Sequence, residues 1–275
     1  VTDESTRALL LGCGDLGTRI GLRLADRGLE VTGVRRDTAA IPPPIRGLSA
    51  DLVSGDLPEL ATDLLAVVLT ADARDVGGYR RTYVEGMARG LTAVLRSGMP
   101  QRAVLVSSTS VIGPADGVVD ESTPARPATA TATVLLEAER LFLDAIPHGT
   151  VLRPSGLYGK PGGRLVAQVR RGENPDPGRI ANRIHRDDAA AAVVHLLTRE
   201  GPPERLYLAN DEESCPVGEV RAFIADQLGL PQPRPTGEAA PHGKRIDGSR
   251  LLASGLALTH RTYREGLAAM LAGDA

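Results

Sequence analysis

Three observations predict an α/β fold, a doubly wound parallel sheet with a small C-terminal lobe. An apolar run, Ala8-Leu9-Leu10-Leu11, ends at once in Gly12-Cys13-Gly14-Asp15-Leu16-Gly17 and leads into an amphipathic stretch carrying Ile20, Leu22, Leu24 and Ala25. Strand-length apolar runs and helix-period stretches then alternate through the first half, which argues parallel strands with helices on both faces. Beyond Pro154 the texture changes: Gly and Pro cluster from Gly156 to Gly178 and the elements become short.

The first run reads as a strand, and the G-x-G-x-x-G after it as the opening of a Rossmann-type βαβ unit. Gly12 allows the tight turn, Gly14 lets backbone approach a pyrophosphate, and Gly17 lets helix and strand pack closely. Backbone N–H groups at the helix start, around Asp15 and Leu16, then receive phosphate charge. The second strand, Glu30 to Val34, follows Arg27-Gly28. At its end NAD sites usually place an acid for the ribose hydroxyls, but this chain has Arg35 and Arg36. Two guanidinium forks suit a 2′-phosphate, so NADP is the expected cofactor and NAD the alternative. Solvated loop arginines are the plainer reading of the pair. S-adenosylmethionine methyltransferases share the strand and the G-C-G-like turn, but they too need an acid where Arg35 stands.

A stiff Pro42-Pro43-Pro44 loop precedes a short third strand in Gly47 to Leu52, and Ala66 to Thr70 reads as a buried fourth strand. A helix from about Gly78 to Arg96 carries Tyr79, Tyr83, Met87, Leu91 and Leu95 at helical spacing, a stripe for the core or a subunit contact that leaves room for a homodimer. Ala103 to Ser108 is the fifth strand, Thr133 to Ile146 the next helix and Thr150 to Pro154 the sixth strand. In the second half a helix contains Val193 to Leu197, Arg205 to Ala209 is a strand, and Val217 to Leu228 and Tyr263 to Leu271 are helices. Pro231 to Pro241 reads as a loop with no core of its own. Residues 1–155 are thus expected to form an NAD(P)-binding Rossmann domain to which 183–209 returns, and 156–275 a small C-terminal substrate lobe.

Composition narrows the function. A length of 275 residues with a formal net charge of −2 gives no bulk electrostatic case for nucleic acid or an anionic membrane. Arg greatly outnumbers Lys, present only as Lys160 and Lys244, so single arginines carry little weight by themselves. Cys13 and Cys215 sit in unrelated contexts and suggest neither a disulfide framework nor a metal site. With no signal peptide and no bilayer-length apolar run, the expectation is a cytoplasmic protein acting on a small molecule.

Further motifs follow in order. Asp51-Leu52 and Thr70-Ala71 stand after the third and fourth strands, Ser107-Ser108-Thr109-Ser110-Val111-Ile112-Gly113 ends the fifth, and Asp120-Glu121-Ser122-Thr123-Pro124 follows. Leu152-Arg153-Pro154-Ser155-Gly156-Leu157-Tyr158-Gly159 and Arg183-Ile184-His185-Arg186-Asp187-Asp188 come later, then Lys244-Arg245-Ile246 and Tyr263-Arg264-Glu265-Gly266-Leu267. In this order they resemble the extended short-chain dehydrogenase/reductase family, the NAD-dependent epimerase/dehydratase group, over nearly the whole chain, with the tail of an atypical subgroup. The resemblance implies that Asp51 and Leu52 contact adenine, and that Thr70 and Ala71 lie along the cofactor. It also implies that Ser108 hydrogen-bonds the substrate oxygen and that Tyr158 lines the cleft.

One departure bears on mechanism. The family uses Tyr-x-x-x-Lys on the helix after the fifth strand, the Lys lowering the Tyr pKa so that it can pass a proton. Aligned on Glu137, Ala130 and Val134 fill those slots, and 129–133 holds no Tyr or Lys. Ser108 and Tyr158 are the candidate catalytic residues that remain, each with a plainer reading as a strand-end hydroxyl and a packed aromatic. His185 reads as fixing a junction more readily than as a base, and Asp120 and Glu121 as loop caps. The expected function is an NADP-preferring, epimerase/dehydratase-like oxidoreductase without the usual pair; the alternative is a non-catalytic NADP sensor.

Overall fold

A computed structural model describes residues 6–160, 162–237 and 240–272. Seven strands form the central parallel sheet: β1 Arg7–Leu11, β2 Glu30–Arg35, β3 Arg46–Ser49, β4 Leu64–Val67, β5 Arg102–Val106, β6 Thr150–Pro154 and β7 Leu206–Ala209. Their order is β7-β6-β5-β4-β1-β2-β3, so the chain reverses its direction of travel between β1 and β4. In such sheets ligands bind beyond the carboxyl ends of the strands at that reversal. Leu10 of β1 faces Gly33 of β2 on one side and Ala66 of β4 on the other. Every residue of β4 and β6 is buried, as strands covered on both faces require.

Helix α1, Asp15–Ala25, crosses from β1 to β2 and buries Gly17, Ile20, Gly21 and Leu24. After β4 comes a helix in three parts: α2 Val76–Tyr79, a π-helical stretch Arg80–Gly86, and α3 Met87–Ser97. The continuous 78–96 helix expected from spacing is therefore interrupted by wider i→i+5 turns. Met87 and Leu91 belong to one core cluster with Leu9, Leu11, Val67, Leu105 and Phe142. Helix α4, Ala130–Ala145, starts three residues earlier than its apolar pattern suggests, because the Thr129 hydroxyl accepts from Ala132 N and caps it.

Two more strand ends need correcting. β4 stops at Val67 rather than Thr70: Val68 N still donates to Leu11 O at 2.8 Å, after which the backbone leaves the sheet. β3 ends at Ser49, with Ala50 to Leu52 as its exit, while β5 stops at Val106, short of Ser108. Arg234–Thr236, inside the stretch expected to be a loop, pairs in parallel with Glu173–Pro175, although its side chains are exposed.

The described residues fall into two compact units. The first holds the chain up to Gly113 with Ala125–Arg153 and Ala190–Tyr207, and the second holds Pro114–Pro124, Pro154–Ala189 and Leu208 onward. The second unit is stitched by short ladders. Gly156–Tyr158 pairs with Arg183–His185, Gly117–Val119 with Lys244–Ile246, and Ile180–Ala181 with Cys215–Pro216. Its core gathers Val166, Val220, Ile224, Tyr263 and Leu267.

Candidate functional site

The turn after β1 is shaped by three glycines under different constraints. Gly12 has φ +94°, and a Cβ there would sit 2.3 Å from Val68 O. A Cβ on Gly17 would sit 2.4 Å from Gly12 O, so helix and turn touch backbone to backbone. Gly14 differs, since a Cβ placed there meets nothing within 4 Å. Gly14 is also the N-cap of α1 and offers no side-chain acceptor to the free N–H groups of the first turn. Asp15, in that turn, leans toward Arg19 at 3.6 Å. Gly12 N and Cys13 N both donate to Val34 O, at 3.2 and 3.1 Å, which fixes the turn to the end of β2. Cys13 is fully buried, and burial pushes its thiol pKa up; it is a space-filler beneath the turn.

An open cavity of about 200 Å³ lies against this turn. It brings together Gly12, Gly14, Arg35, Arg36, Asp51, Leu52 and Thr70, seven of the positions singled out in the sequence, together with Asp72. Thr70 is exposed at the departure from β4. Arg35 is half-buried and donates through Nη1 to Cys13 O at 3.3 Å. Arg36 is committed differently: Nη1 and Nη2 donate to Asp72 Oδ2 and Oδ1 at 3.2 and 2.8 Å. Asp51 closes its own turn, accepting from Val53 N at 3.0 Å and Ser54 Oγ at 2.8 Å. These hydrogen bonds hold its carboxyl below the usual range. Tyr83, in the π-helical stretch, donates to Leu69 O at 3.0 Å and anchors the β4 exit.

Two residues beyond β5, Ser108 Oγ accepts from Ser110 N at 3.1 Å and caps the 3₁₀ turn Thr109–Ile112. Among the described residues this hydroxyl accepts one hydrogen bond and is given no acceptor of its own. The neighbouring Ser107 joins a network that sequence reasoning missed. It donates to Glu139 Oε1 at 2.5 Å, and buried Arg153 grips the same carboxylate through Nε and Nη2 at 2.9 and 2.6 Å. A charged residue in β6 and another on the inner face of α4 were the available signal, since buried charges must pair. On α4, Ala130 is exposed and Val134 is buried. Glu137 forms a two-point pair with Arg80 at 2.9 and 2.7 Å.

Tyr158 lies in the second unit. Its hydroxyl donates to Thr262 O at 3.4 Å, and burial, then Asp211 and Asp188, push its pKa well up. A Cβ on Gly266 would strike that hydroxyl, at 2.1 Å. His185 meets the Tyr158 ring edge-on and stacks on His260 with centroids 3.9 Å apart. Asp188 accepts from Thr259 N at 2.6 Å and His260 N at 3.0 Å and pairs with His260 Nδ1 at 2.9 Å. Through these three bonds Asp188 tethers the chain near 259–260. Asp120 caps its own loop through Ser122 N and Thr123 Oγ1, while Glu121 accepts from Leu208 N at 2.9 Å.

No family model matches the chain. It is 31% identical over 263 residues to Protein YeeZ of Escherichia coli (strain K12), covering 89% of this chain and 92% of that protein. A structure from Methylobacillus flagellatus, provisionally described as an NAD-dependent epimerase/dehydratase, superposes with a TM-score of 0.84 at 33% identity over 98% of both chains. MoeE5 in complex with UDP-glucuronic acid and NAD gives 0.80 at 23% identity, covering 98% of this chain and 100% of that one, a likeness of fold alone. Among the described residues no helix is long and apolar enough to cross a membrane. With a relative above 30% identity along almost its whole length and a fold shared with structures of this group, the chain belongs to the NAD-dependent epimerase/dehydratase family of extended short-chain dehydrogenases/reductases.

Proposed function

We propose that this chain binds a nicotinamide dinucleotide, NADP in preference to NAD, at the turn and cavity of its first unit. The observation that carries the reading is Gly14: open space where a side chain would point, at an uncapped helix N-terminus, beside two arginines. Backbone N–H groups of the first turn of α1 would hold the pyrophosphate. Leu52 and Thr70 would flank the adenine side, with Ala71 next along the chain, and Arg35 and Arg36 would face a 2′-phosphate. Isothermal titration of the intact chain with each nucleotide tests this, and equal affinities would remove the preference.

The reaction class is an epimerase/dehydratase-like oxidoreduction of a small molecule, with the nicotinamide supplying hydride transfer when bound. The family's Tyr-x-x-x-Lys pair is absent in this reading. Its two lysines, Lys160 and Lys244, have Gly156 and Ala240 four residues ahead of them, and Ala130 and Val134 fill the aligned slots. Ser108 keeps a hydroxyl proton with which to polarise a substrate carbonyl, whereas the Tyr158 hydroxyl is already donated to Thr262 O. The structures of relatives hold UDP-sugars, and that class of substrate is the first to test, in NADPH-oxidation or epimerisation assays. A homodimer is part of the proposal, supported by an open groove that Leu95, Arg140 and Leu141 help to line on α3 and α4; light scattering tests it.

The commitment of Tyr158 and the missing pair also favour a second reading, a cytoplasmic NADP-binding sensor without turnover. Steady-state oxidation of NADPH with carbonyl substrates separates the two.

A further inference from the structure

Four charged side chains line the cavity: Arg35, Arg36, Asp51 and Asp72. Their formal charges cancel, which is unexpected for a cavity that selects the more highly charged of two nucleotides. The two carboxylates are not equivalent. Asp51 is absorbed by its own turn, through Val53 N and Ser54 Oγ. Asp72 instead meets Arg36 at two points, 3.2 and 2.8 Å, across 36 residues of sequence. Both Nη atoms of Arg36 are engaged, and they are the pair with which a guanidinium grips a phosphate end-on.

We propose that Asp72 is a specificity-determining residue of the nucleotide cavity, a built-in competitor that occupies Arg36 and tempers the preference for a 2′-phosphate over a 2′-hydroxyl. The inference rests on the dinucleotide reading given above. A dianionic 2′-phosphate must displace the Asp72 carboxylate from Arg36 and then lie near a like charge. A ribose with a free 2′-hydroxyl needs neither change, and a carboxylate at the rim can accept from it. The pair is half-exposed, with side-chain exposures of 62% for Arg36 and 45% for Asp72, so it exchanges readily and salt screens it. Arg35, held to Cys13 O by a single hydrogen bond, keeps its remaining donors, so a residual NADP preference survives with Asp72 in place.

The test is calorimetric titration of NADP and NAD into the intact wild-type chain, Asp72→Asn, Arg36→Ala and the double variant, each confirmed folded by its melting temperature. Asp72→Asn is expected to raise the ratio of NADP to NAD affinity about three- to tenfold, chiefly through tighter NADP. In the Arg36→Ala background the same substitution is expected to raise the ratio by clearly less than it does in the wild-type background, because the part of the competition that acts through Arg36 is lost. An unchanged or lowered ratio in Asp72→Asn overturns the proposal, and so does an undiminished gain without Arg36. If the wild-type chain binds neither nucleotide, the dinucleotide reading itself fails and takes this proposal with it. Wild-type binding with an indifferent Asp72→Asn variant defeats the proposal alone.

Discussion

Gly12 and Gly14 stand two residues apart in one turn and resist substitution for opposite reasons. At Gly12 the obstacle is internal: a left-handed φ of +94° and a Cβ 2.3 Å from Val68 O. Gly12→Ala should therefore destabilise the fold itself, by about 2–4 kcal/mol in thermal or urea unfolding. Gly14 has an ordinary φ of −82°, and a methyl group added there would meet nothing within 4 Å. Gly14→Val should keep the melting temperature while abolishing dinucleotide binding; undiminished NADP binding by the folded variant would show the phosphate turn misplaced. Arg35→Asp should narrow or reverse the proposed NADP preference, expected at about tenfold, since it replaces a charge-assisted bond with repulsion. Both glycines and Arg35 were legible in the sequence because each sits at a fixed offset from a strand end. The Arg36–Asp72 pair was not, because nothing local links the end of β2 to the exit of β4. The early exit of β4 at Val67 was hidden likewise, because Val68 and Leu69 are apolar enough to extend a strand, and the Tyr83 hydroxyl that holds Leu69 O comes from a distant part of the sequence.

At the scale of elements, the network of Ser107, Glu139 and Arg153 ties the segment just after β5, which goes on to Ser108, to α4 and β6. Its side chains are 5–7% exposed at the Glu139–Arg153 pair, so the pair is shielded from salt and intolerant of losing one member. Glu139→Ala should cost about 3–5 kcal/mol, because the Arg153 guanidinium would be buried without its counter-charge. The exposed Arg80–Glu137 pair, though also two-pronged, should respond to Glu137→Ala with a change too small to separate from error. Urea denaturation of the two variants side by side checks the contrast, and equal losses would contradict it. Sequence periodicity located α4 but not its start, because Thr129 caps a first turn of Ala and Thr that carries little apolar signal. Periodicity also could not distinguish α from π turns between Tyr79 and Met87, since the apolar stripe tolerates one wider turn. The small ladders of the second unit were invisible for a plainer reason. Strands of two or three residues joining segments such as 117–119 and 244–246 have no period to read.

For the whole molecule, one expectation follows from a carboxyl that the fold buries. Asp211 is 4% exposed, and burial, only partly opposed by the Glu213 N–H and by Arg183, pushes its carboxyl up to about 7. A carboxyl raised on folding binds its proton more tightly in the native state. Its contribution to stability is therefore fully present below the unfolded value near 4 and is lost as pH rises through about 7. Asp211→Asn should match wild type near pH 4 and exceed it increasingly up to about pH 7, by at most about 4 kcal/mol, with a constant gap above. A gap independent of pH would show that Asp211 titrates normally.

The remaining expectation concerns chemistry. General acid–base catalysis typically contributes about 10²–10⁴-fold, so if Ala130 and Val134 occupy the slots of the usual pair, as proposed, the chain should reduce carbonyl compounds slowly and without a tyrosine-controlled pH profile. The two positions would not accept such a pair equally. Ala130 is exposed on the first turn of α4, so Ala130→Tyr should fold normally, yet a phenol without a nearby cation keeps a pKa near 10 and transfers protons poorly. Val134 is 2% exposed, so Val134→Lys must bury an ammonium, lowering stability by several kcal/mol and depressing the very charge that would tune the tyrosine. The double variant is therefore expected to melt lower than wild type and to gain little NADPH oxidation. A large gain in the double variant would mean that the helix can rotate or repack to expose residue 134. Rapid turnover by the wild-type chain, abolished by Ser108→Ala or Tyr158→Phe, would reassign proton transfer to those hydroxyls and set aside both the slow-enzyme and the sensor readings.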